Sequence, residues 1–448
     1  MTETFVAPLG DKRGGQSRSS AGASADPNQA RRAVVACHDC DLLYPVRRLA
    51  AGESATCSRC GAVLYKGKAD SVERALTLTI SGLILFVLAN AYPFMVLEIE
   101  GREQVNTLFT GVGELYSHGM WELALLVLMT SIGVPLMKLS ATTYVLLPLW
   151  LGRRLPGAAK VFRWVEIMHP WAMMEVYLLG VLVAYVNLTD LGSLELGTAV
   201  FAFAALILIM VAAEASLDPR EVWDQLGRPN AGFDAPQRSR RSVVACHSCQ
   251  FVGRLSGAEL RAHPACPRCG ASLHLRKPDS VARTWALLIT AAILYVPANV
   301  YPVMTVISFG SGQPDTILSG VKHLIEGGLW PLAALVFFAS VAVPALKVLG
   351  LSFLLISVQT CSRWRPRDRT RLYRVIEGVG RWSMIDVFMV SILVALVKLG
   401  SIATIEPGIG ASAFAAVVIL TMIASMSFDP RLIWDAAGTA DDRRAAQS

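Results

Sequence analysis

The same series of motifs occurs twice in this chain, and this duplication restricts the fold more than any other feature. A first set returns 209 positions later: Ala36–Cys40, Cys57, Cys60, Asn90, Tyr92, Pro93, Pro135 and Lys138 correspond to Ala245–Cys249, Cys266, Cys269, Asn299, Tyr301, Pro302, Pro344 and Lys347. A second set returns 211 positions later: Trp171, Glu175 and Asp218–Arg220 correspond to Trp382, Asp386 and Asp429–Arg431. Solenoid repeats are only ~20–50 residues long. The pattern therefore indicates a whole domain copied once, with a four-cysteine module ahead of several hydrophobic segments.

The composition indicates an integral membrane protein that carries polar modules. Of the 448 residues, 54% are hydrophobic and 17% are charged, below the ~25% charged residues of soluble domains. The apolar residues are gathered in blocks rather than spread evenly. The formal net charge is +7, but the Lys and Arg residues lie in loops beside the apolar blocks, where they set the membrane orientation. We therefore expect no nucleic-acid partner.

Eight apolar segments are candidates for membrane-spanning helices, which need about 20 apolar residues each. They are Ala75–Leu97, Trp121–Leu147, Trp171–Val186 and Leu196–Ala213 in the first half, and Trp285–Ile307, Trp330–Leu355, Met384–Val397 and Ile409–Met426 in the second half. The third segment of each half is short. The segments predict an all-α polytopic membrane protein with two parallel repeats of about four transmembrane helices.

The loop charges predict which side of the membrane each loop occupies. Loop 152–170 contains four basic residues and loop 361–381 contains seven, whereas loops 98–118 and 308–328 contain one each. Loops rich in Lys and Arg stay in the cytoplasm. Both termini and both cysteine modules are then cytoplasmic, and we expect the two halves to be related by an axis along the membrane normal.

Eight of the nine cysteines form two sets with the spacing C-x2-C-x16-C-x2-C. The sets are Cys37, Cys40, Cys57 and Cys60, and Cys246, Cys249, Cys266 and Cys269. In a reducing cytosol such sets bind metal rather than form disulfides. The two C-x-x-C turns predict a closed four-thiolate zinc site, and iron is the alternative, because ligand type alone does not separate the two metals. A closed shell leaves no position for catalysis, and Cys361 is left over as a free thiol.

Ionisable residues inside the predicted spans are candidates for transport chemistry, because a charge in a bilayer is costly. In the first half, Lys138 is expected to pair with Glu175. In the second half, Lys347 is expected to pair with Asp386. The alternative is that the lysines extend to the membrane interface and the carboxylates lie at helix starts. Lys398 is an extra charge, since Asn187 lies at its position in the first half. This difference indicates that the second half carries the polar chemistry and the first half supports it.

The doubled cysteine modules, the Asn-x-Tyr-Pro-x-Met motifs and the Pro-x-x-Lys motifs together resemble the paraquat-inducible protein A family of Gram-negative inner-membrane proteins. The resemblance runs from Ala33 to Asp435. It implies a cytoplasmic zinc ribbon before each of two tetraspanin-like transmembrane domains. It also implies a periplasmic tunnel partner with mammalian-cell-entry (MCE) domains. Phospholipid would pass between the inner-membrane bilayer and that tunnel, which supports the integrity of the outer membrane.

These patterns divide the chain and leave several functions open. The segments are a disordered tail (1–32), zinc ribbon 1 (33–70), transmembrane domain 1 (71–216), a linker (217–241), zinc ribbon 2 (242–279), transmembrane domain 2 (280–427) and a cytoplasmic tail (428–448). No nucleotide-binding or catalytic-triad motif is recognisable, so we expect no enzyme. The alternatives to lipid transport are a membrane-tethered redox protein with iron, a zinc-ribbon scaffold or sensor, and a transporter of ions or small solutes.

Overall fold

The structure is a computed structural model of the 448-residue chain. It describes all residues except 1–2, 6–33, 48, 100–101, 154, 173, 189–192, 228–241, 256–258, 260–261, 263, 309–310, 397–402 and 446–448. The predicted disordered tail therefore lies outside the described residues, apart from the short strand Glu3–Phe5. Below, ribbon 1 means residues 34–70 and ribbon 2 means residues 242–279. The first half means residues 71–226 and the second half means residues 280–445.

The elements follow the same order in the two halves. Ribbon 1 and the first half contain β1 (Glu3–Phe5), β2 (Val34–Ala36), β3 (Leu43–Pro45), β4 (Ser54–Thr56), β5 (Val63–Lys66), α1 (Ser71–Ala91), β6 (Met95–Ile99), β7 (Arg102–Asn106), α2 (Leu108–Ser117), α3 (Trp121–Leu128), a π-helical turn (Met129–Gly133), α4 (Val134–Trp150), α5 (Ala158–Met168), a 3-10 turn (His169–Trp171), α6 (Met174–Leu188), β8 (Ser193–Leu196), α7 (Thr198–Ser216) and α8 (Pro219–Leu226). Ribbon 2 and the second half contain β9 (Ser242–Ala245), β10 (Val252–Leu255), α9 (Ser280–Val300), β11 (Met304–Ser308), β12 (Ser311–Asp315), α10 (Ile317–Glu326), α11 (Trp330–Phe337), a π-helical turn (Phe338–Ala342), α12 (Val343–Gln359), α13 (Pro366–Val379), a 3-10 turn (Gly380–Met384), α14 (Ile385–Leu396), β13 (Ala403–Pro407), α15 (Ile409–Ser427) and α16 (Arg431–Ala445).

Seven helical segments of the described chain are long and apolar enough to cross a membrane, so the chain is a multi-pass membrane protein. They are Ser71–Ala91, Trp121–Trp150, Ala158–Tyr185, Thr198–Ser216, Ser280–Val300, Trp330–Gln359 and Ile409–Ser427. The remaining predicted span, Met384–Val397, coincides with α14, and the residues that follow this helix lie outside the described part. The short third span of the first half is longer than predicted, because it continues from α5 through the 3-10 turn into α6.

Two three-stranded antiparallel sheets show that the prediction of an all-α fold outside the ribbons was wrong. β6 lies between β7 and β8, and β11 lies between β12 and β13. The first spans, expected to reach Leu97 and Ile307, end at Ala91 and Val300 instead. The cause is the following Tyr-Pro pair, because a residue before proline is restricted to extended conformations. Tyr92 accordingly has φ −105° and ψ 159°.

The ribbons and these sheets lie at opposite ends of the helical bundle. Helix α1 begins directly after ribbon 1 and ends directly before β6, and α9 connects ribbon 2 to β11 in the same way. Each of these helices has 21 residues and is therefore about 30 Å long, which is the thickness of a bilayer core. We name the two ends the ribbon end and the sheet end.

The two halves share one apolar core, which is continuous through the third helices α6 and α14. Tyr177 on α6 packs edge-on against Phe388 on α14, with ring centroids 5.3 Å apart. Helix α14 also contacts α2, where Gly111 allows a close approach. A Cβ atom at Gly111 would lie 2.7 Å from Ser391 Oγ. The contact between the halves therefore depends on a glycine in the middle of a helix.

Candidate functional site

Each cysteine set forms one compact, buried cluster of four sulfur atoms. In ribbon 1 the Sγ atoms of Cys37 and Cys60 are 3.4 Å apart, and those of Cys40 and Cys57 are 3.5 Å apart. In ribbon 2 the matching distances are both 3.6 Å. All four sulfur atoms of each set lie within 4.8 Å of one another. The eight cysteines predicted as metal ligands are therefore brought together as two groups of four.

Tight turns after the second cysteine of each pair make these clusters. The amide of Gly61 donates to the carbonyl of Cys57 at 2.8 Å, and the amide of Gly270 donates to the carbonyl of Cys266 at 2.9 Å. Both glycines have φ +73°, a left-handed conformation that glycine adopts without a steric penalty. The turn brings the two sulfur atoms of a C-x-x-C pair to the same side of the backbone. The sequence spacing therefore specifies the ligand geometry locally.

The thiols of each cluster perturb one another. Hydrogen bonds with the neighbouring thiols lower the pKa of Cys57 far below its usual range, and the bond with Cys37 has the largest effect. In ribbon 2, hydrogen bonds with neighbouring thiols lower the pKa of Cys269 to about 7, and the bond with Cys246 has the largest effect. The pKa values of the other two thiols of each cluster, Cys37 and Cys40 in ribbon 1 and Cys246 and Cys249 in ribbon 2, are raised by hydrogen bonds among the thiols and by burial. Part of each cluster therefore ionises readily, and thiolates are the metal ligands.

The donor set fits a tetrahedral metal ion. Zn–S bonds of ~2.3 Å in a tetrahedron separate the sulfur atoms by about 3.8 Å, close to the 3.4–3.6 Å distances between paired sulfur atoms. Four thiolates on two turns leave no open position, so a bound ion would hold the ribbon together rather than react. Cys361, the ninth cysteine, is exposed and belongs to neither cluster.

The cysteine cluster of ribbon 1 docks on the second half, whereas Tyr65 and Lys68 of the same ribbon contact the first half through Arg220 and the carbonyl oxygen of Leu217. Arg374, on α13, donates to Asp39 Oδ2 at 2.6 Å and to the carbonyl oxygen of Cys60 at 3.2 Å. The guanidinium of Arg59 lies 4.4 Å from the ring centroid of Trp434 on α16. The cysteines of ribbon 1 also belong to one apolar cluster with buried residues of α12, α13 and α16.

Ribbon 2 docks on the first half through the equivalent residues. Arg163, on α5, donates to the carbonyl oxygen of Cys269 at 3.3 Å. Arg268 donates to the carbonyl oxygen of Trp223 at 3.0 Å and forms an ion pair with Asp224. The cysteines of ribbon 2 share an apolar cluster with residues of α1, α4, α5 and α8. The docking is therefore crossed, and the ribbons tie the two halves together at the ribbon end.

A network of charges joins the two ribbons to the start of α16. Arg276 of ribbon 2 pairs with Asp41 of ribbon 1 and with Asp435, the latter at 2.6 Å. Arg431 pairs with Asp41 at 3.3 Å and with Asp429 at 2.9 Å. Burial alone would raise the pKa of Asp429, but the hydrogen bond and charge of Arg431 lower it below its usual value.

In the first half, Lys138 pairs with Glu214 on α7, and not with Glu175 as predicted. Glu214 Oε2 also lies 2.9 Å from His169 Nε2. The three side chains line a cavity of about 160 Å³ near the ribbon end. Glu175 is exposed at the start of α6. The prediction rested on the similar depth expected for Lys138 and Glu175, and depth alone does not select between two carboxylates.

In the second half, Lys347 is only 2% exposed. Its Nζ donates to Thr421 Oγ1 on α15 at 2.9 Å. The hydroxyls of Ser340 and Ser383 are buried and have no hydrogen-bond partner in the part of the chain that the structure describes. The π-helical turn with Ser340, the 3-10 turn with Ser383, and helices α12 and α15 meet around this point. Lys347 is thus buried among hydroxyl-bearing elements.

The two halves differ in these polar sites. At the offset of 211, Glu214 corresponds to Ser425 and His169 corresponds to Gly380. A Cβ atom at Gly380 would lie 3.1 Å from Lys347 Nζ, so a histidine there would collide with the lysine. The first half has a charged group of three residues, and the second half has a lysine among hydroxyls.

Two of the predicted intramembrane residues are not placed by the structure. The side chain of Asp386 and the whole of Lys398 lie outside the described residues. The expected pair of Lys347 with Asp386 therefore stays a prediction. Sequence reasoning missed Glu214, His169 and Thr421. The signal for Glu214 was present, since it is an acidic residue near the end of an apolar helix, but it has no copy in the second half.

Comparison with known proteins finds a family model that matches both halves and relatives that cover most of the chain. The family model of paraquat-inducible protein A matches residues 72–227 and 281–438. The intermembrane transport protein PqiA of Escherichia coli (strain K12) is 34% identical over 411 residues, which cover 90% of this chain and 95% of that protein. The lipophilic envelope-spanning tunnel protein A of the same strain is 31% identical over 410 residues, covering 91% and 92%. A probable intermembrane transport protein of Haemophilus influenzae is 27% identical over 405 residues, covering 90% and 95%. No solved structure matches the chain.

Proposed function

The chain belongs to the paraquat-inducible protein A family, and from this membership we propose that it is the inner-membrane component of an intermembrane phospholipid transport system. It passes lipid between the inner-membrane bilayer and a periplasmic tunnel protein with MCE domains, and so supports outer-membrane integrity. The names of two relatives include intermembrane transport, and a third is called an envelope-spanning tunnel protein. Transport rather than catalysis is the activity that these names support.

The observation that carries the proposal is the polar site around Lys347 inside a membrane-spanning bundle. Placing a lysine ammonium that is only 2% exposed in a low-dielectric environment costs free energy. Such residues are retained where they serve a substrate pathway. Thr421 satisfies one of its three protons. The remaining protons offer hydrogen-bond donors to a phosphate group. The unsatisfied hydroxyls of Ser340 and Ser383 lie on turns that pack against the helix of Lys347. An anionic lipid headgroup is the ligand that this chemistry recognises.

The proposed orientation follows from the basic residues at the ribbon end. The Arg-rich helix α13 and helix α5, which carries Lys160 and Arg163, lie beside the ribbons, and basic segments stay in the cytoplasm. The ribbon end then faces the cytoplasm and the sheet end faces the periplasm, where a tunnel protein could contact the sheets. The transmembrane domains are two parallel, tetraspanin-like bundles in this proposal.

The proposed ions in the ribbons are zinc, one for each four-cysteine set. Their role is to keep each ribbon folded so that the crossed docking persists. Metal analysis of the purified protein tests this proposal, with two equivalents of zinc per chain expected. A coloured, redox-active iron centre would favour the membrane-tethered redox protein instead.

Complementation of outer-membrane integrity tests the transport proposal. The host is a strain that lacks this protein and its redundant relatives. Lys347→Met removes the ammonium and keeps the apolar stem, so we expect complementation to fail at a normal protein level. Lys322→Met is the matched control, because Lys322 lies in the same half at the sheet end with a side chain that is 75% exposed. Full complementation by Lys347→Met would reject the assigned role of this site.

A further inference from the structure

A cavity of about 330 Å³ lies at the sheet end of the second half, away from Lys347. Its walls come from β11, β13, α10, α11 and α14, and most of its lining residues are aliphatic or methionine. Met304 and Met389 contribute flexible side chains, which adapt to ligands of varied shape. Binding pockets for small molecules range over about 300–1,000 Å³. A whole two-chain phospholipid is too large for this volume, whereas the greater part of one hydrocarbon chain fits.

The duplication shows why the cavity is present in this half. Val303 lines the cavity, and its counterpart in the first half is Phe94. The ring of Phe94 packs against Phe203 and Tyr177, with centroid distances of 5.5 and 6.0 Å. The second half therefore has an isopropyl group where the first half has a packed aromatic ring. Smaller residues at fixed backbone positions leave space.

A glycine on the inner face of α10 gives the second reason. Gly320 lies one turn from Ile317 and Leu324, which are buried residues of this helix. A Cβ atom at Gly320 would meet no atom within 4 Å. Its counterpart Gly111 is needed for the close contact with Ser391. Gly320 has no such packing role, although glycine costs a helix about 1 kcal/mol relative to alanine. The space left by the absent side chain is continuous with the cavity.

The mouth of the cavity lies beside surfaces suited to a membrane interface. Leu318 and Ile325, on the outer face of α10, are 50% and 56% exposed. Asp315 and His323 line the cavity, and their side chains are 15% and 56% exposed, with 3.7 Å between Oδ1 and Nε2. Glu326 Oε2 lies 3.8 Å from His323 Nδ1. Lys322 Nζ lies 3.7 Å from Glu326 Oε1, so Asp315 is the carboxylate of this group without a lysine beside it. A carboxylate at the mouth disfavours a bare carboxylate and favours an ammonium-bearing headgroup outside.

We propose that this cavity is a binding site for one acyl chain of a phosphatidylethanolamine-type phospholipid, entered beside α10 at the sheet end. The proposal rests on the proposed transport function and deepens it. One chain lies among the aliphatic residues, and the headgroup stays outside near Asp315. The second half then has two separate lipid-contacting places, a headgroup site near Lys347 and a chain site near the sheets.

Photocrosslinking tests the chain site with the full-length protein in phosphatidylethanolamine–phosphatidylglycerol vesicles. The probe is phosphatidylethanolamine with a diazirine near the end of one acyl chain, and a diazirine fatty acid is the comparison. Peptide mass spectrometry should find the phospholipid adduct on the segments with Met304 and Met389, and little adduct from the free fatty acid. Absence of the phospholipid adduct from both segments would overturn the proposal without any variant. A stronger adduct from the fatty acid would overturn the choice of ligand.

Two filling variants sharpen the test. Gly320→Leu places a side chain in the open space, and Val303→Phe restores the residue of the first half. Each should reduce the adduct on Met304 and Met389 to background. Gly113→Leu is the control, because Gly113 is an exposed glycine in the matching helix α2, with no atom within 4 Å of its Cβ position. An unchanged adduct in either folded filling variant would contradict the proposal. If Lys347→Met abolishes complementation while the filled variants transport normally and keep the adduct, only the chain site is rejected.

Discussion

The crossed docking of the ribbons predicts that Arg374→Met loosens ribbon 1 and leaves ribbon 2 in place. Arg374 faces Asp39, whose side chain is only 4% exposed. Breaking a buried ion pair costs about 3–5 kcal/mol. The side chain of Arg374 is itself 30% exposed, and His38 Nε2 remains 3.4 Å from Asp39. We therefore expect a loss at the lower end, about 3 kcal/mol, in the free energy of docking.

Pulsed alkylation with mass spectrometry measures this loss separately for each ribbon. A loss of about 3 kcal/mol raises the population of undocked ribbon about 100-fold. The alkylation rate of the ribbon 1 cysteines should rise accordingly, while the cysteines of ribbon 2 in the same molecule serve as the internal control. Arg163→Met is the matched variant. It removes one hydrogen bond, to the carbonyl oxygen of Cys269, and should raise ribbon 2 alkylation only several-fold, since a hydrogen bond contributes about 1 kcal/mol.

The pattern of the result decides whether the docking is crossed. The reasoning is refuted if Arg374→Met exposes the cysteines of ribbon 2, or if Arg163→Met exposes those of ribbon 1. Equal exposure of both ribbons by either variant would also refute it. A double-mutant cycle with Asp39→Asn then isolates the pair, with a coupling energy of about 1–3 kcal/mol expected between residues in direct contact.

Three further predictions test the packing and the charges. Lys138→Met should destabilise the protein by about 1 kcal/mol, less than for a fully buried pair, because the side chain of Glu214 is 37% exposed and keeps His169 as a partner. The double variant with Glu214→Gln should recover most of that loss in thermal unfolding, and no recovery would contradict the pairing. Gly111→Ala should destabilise by about 1–3 kcal/mol because its Cβ meets Ser391, whereas Gly113→Ala, in open space, should be neutral or stabilising. Asp429→Asn should lower stability at pH 7, and since the folded pKa of Asp429 is depressed, the difference from the parent should shrink as the pH falls below about 4. A difference that stays constant between pH 7 and pH 3 would argue against an ionised Asp429.

The features that depend on local sequence could be predicted. The two cysteine clusters form as expected because each C-x-x-C pair closes within one turn, and Gly61 and Gly270 have the left-handed φ that this turn needs. The helices long enough to span a membrane were also visible, because twenty apolar residues in a row leave few alternatives. Both features are encoded within a short stretch of chain.

The features that depend on contacts between distant residues could not be predicted. The strand Met95–Ile99 was absorbed into the preceding apolar run, since its pairing with Ser193–Leu196 is invisible in sequence. Lys138 was matched with a carboxylate through the duplication, but its partner Glu214 exists in one half only. Arg374 was counted as an orientation charge, whereas it also anchors the ribbon of the other half. Charge composition alone does not separate these roles.

The two halves have diverged, so the duplication does not give two equivalent sites. The first half fills its sheet end with Phe94 and neutralises Lys138 with Glu214. The second half leaves a cavity beside Val303 and keeps Lys347 among hydroxyls. That the second half carries the polar chemistry and the first half supports it stays a prediction, to which the structure adds these differences. They rest on described residues, independently of Asp386 and Lys398.

Lipid transfer in a purified system tests the central claim most directly. The protein is reconstituted in vesicles with a fluorescent phosphatidylethanolamine, and the soluble tunnel domain of the proposed MCE-type partner is added as the acceptor. The account predicts that labelled lipid moves to the acceptor with time, and that the rate falls strongly for Lys347→Met and remains for Lys322→Met. Transfer no faster than from protein-free vesicles, or equal transfer by both variants, would contradict it.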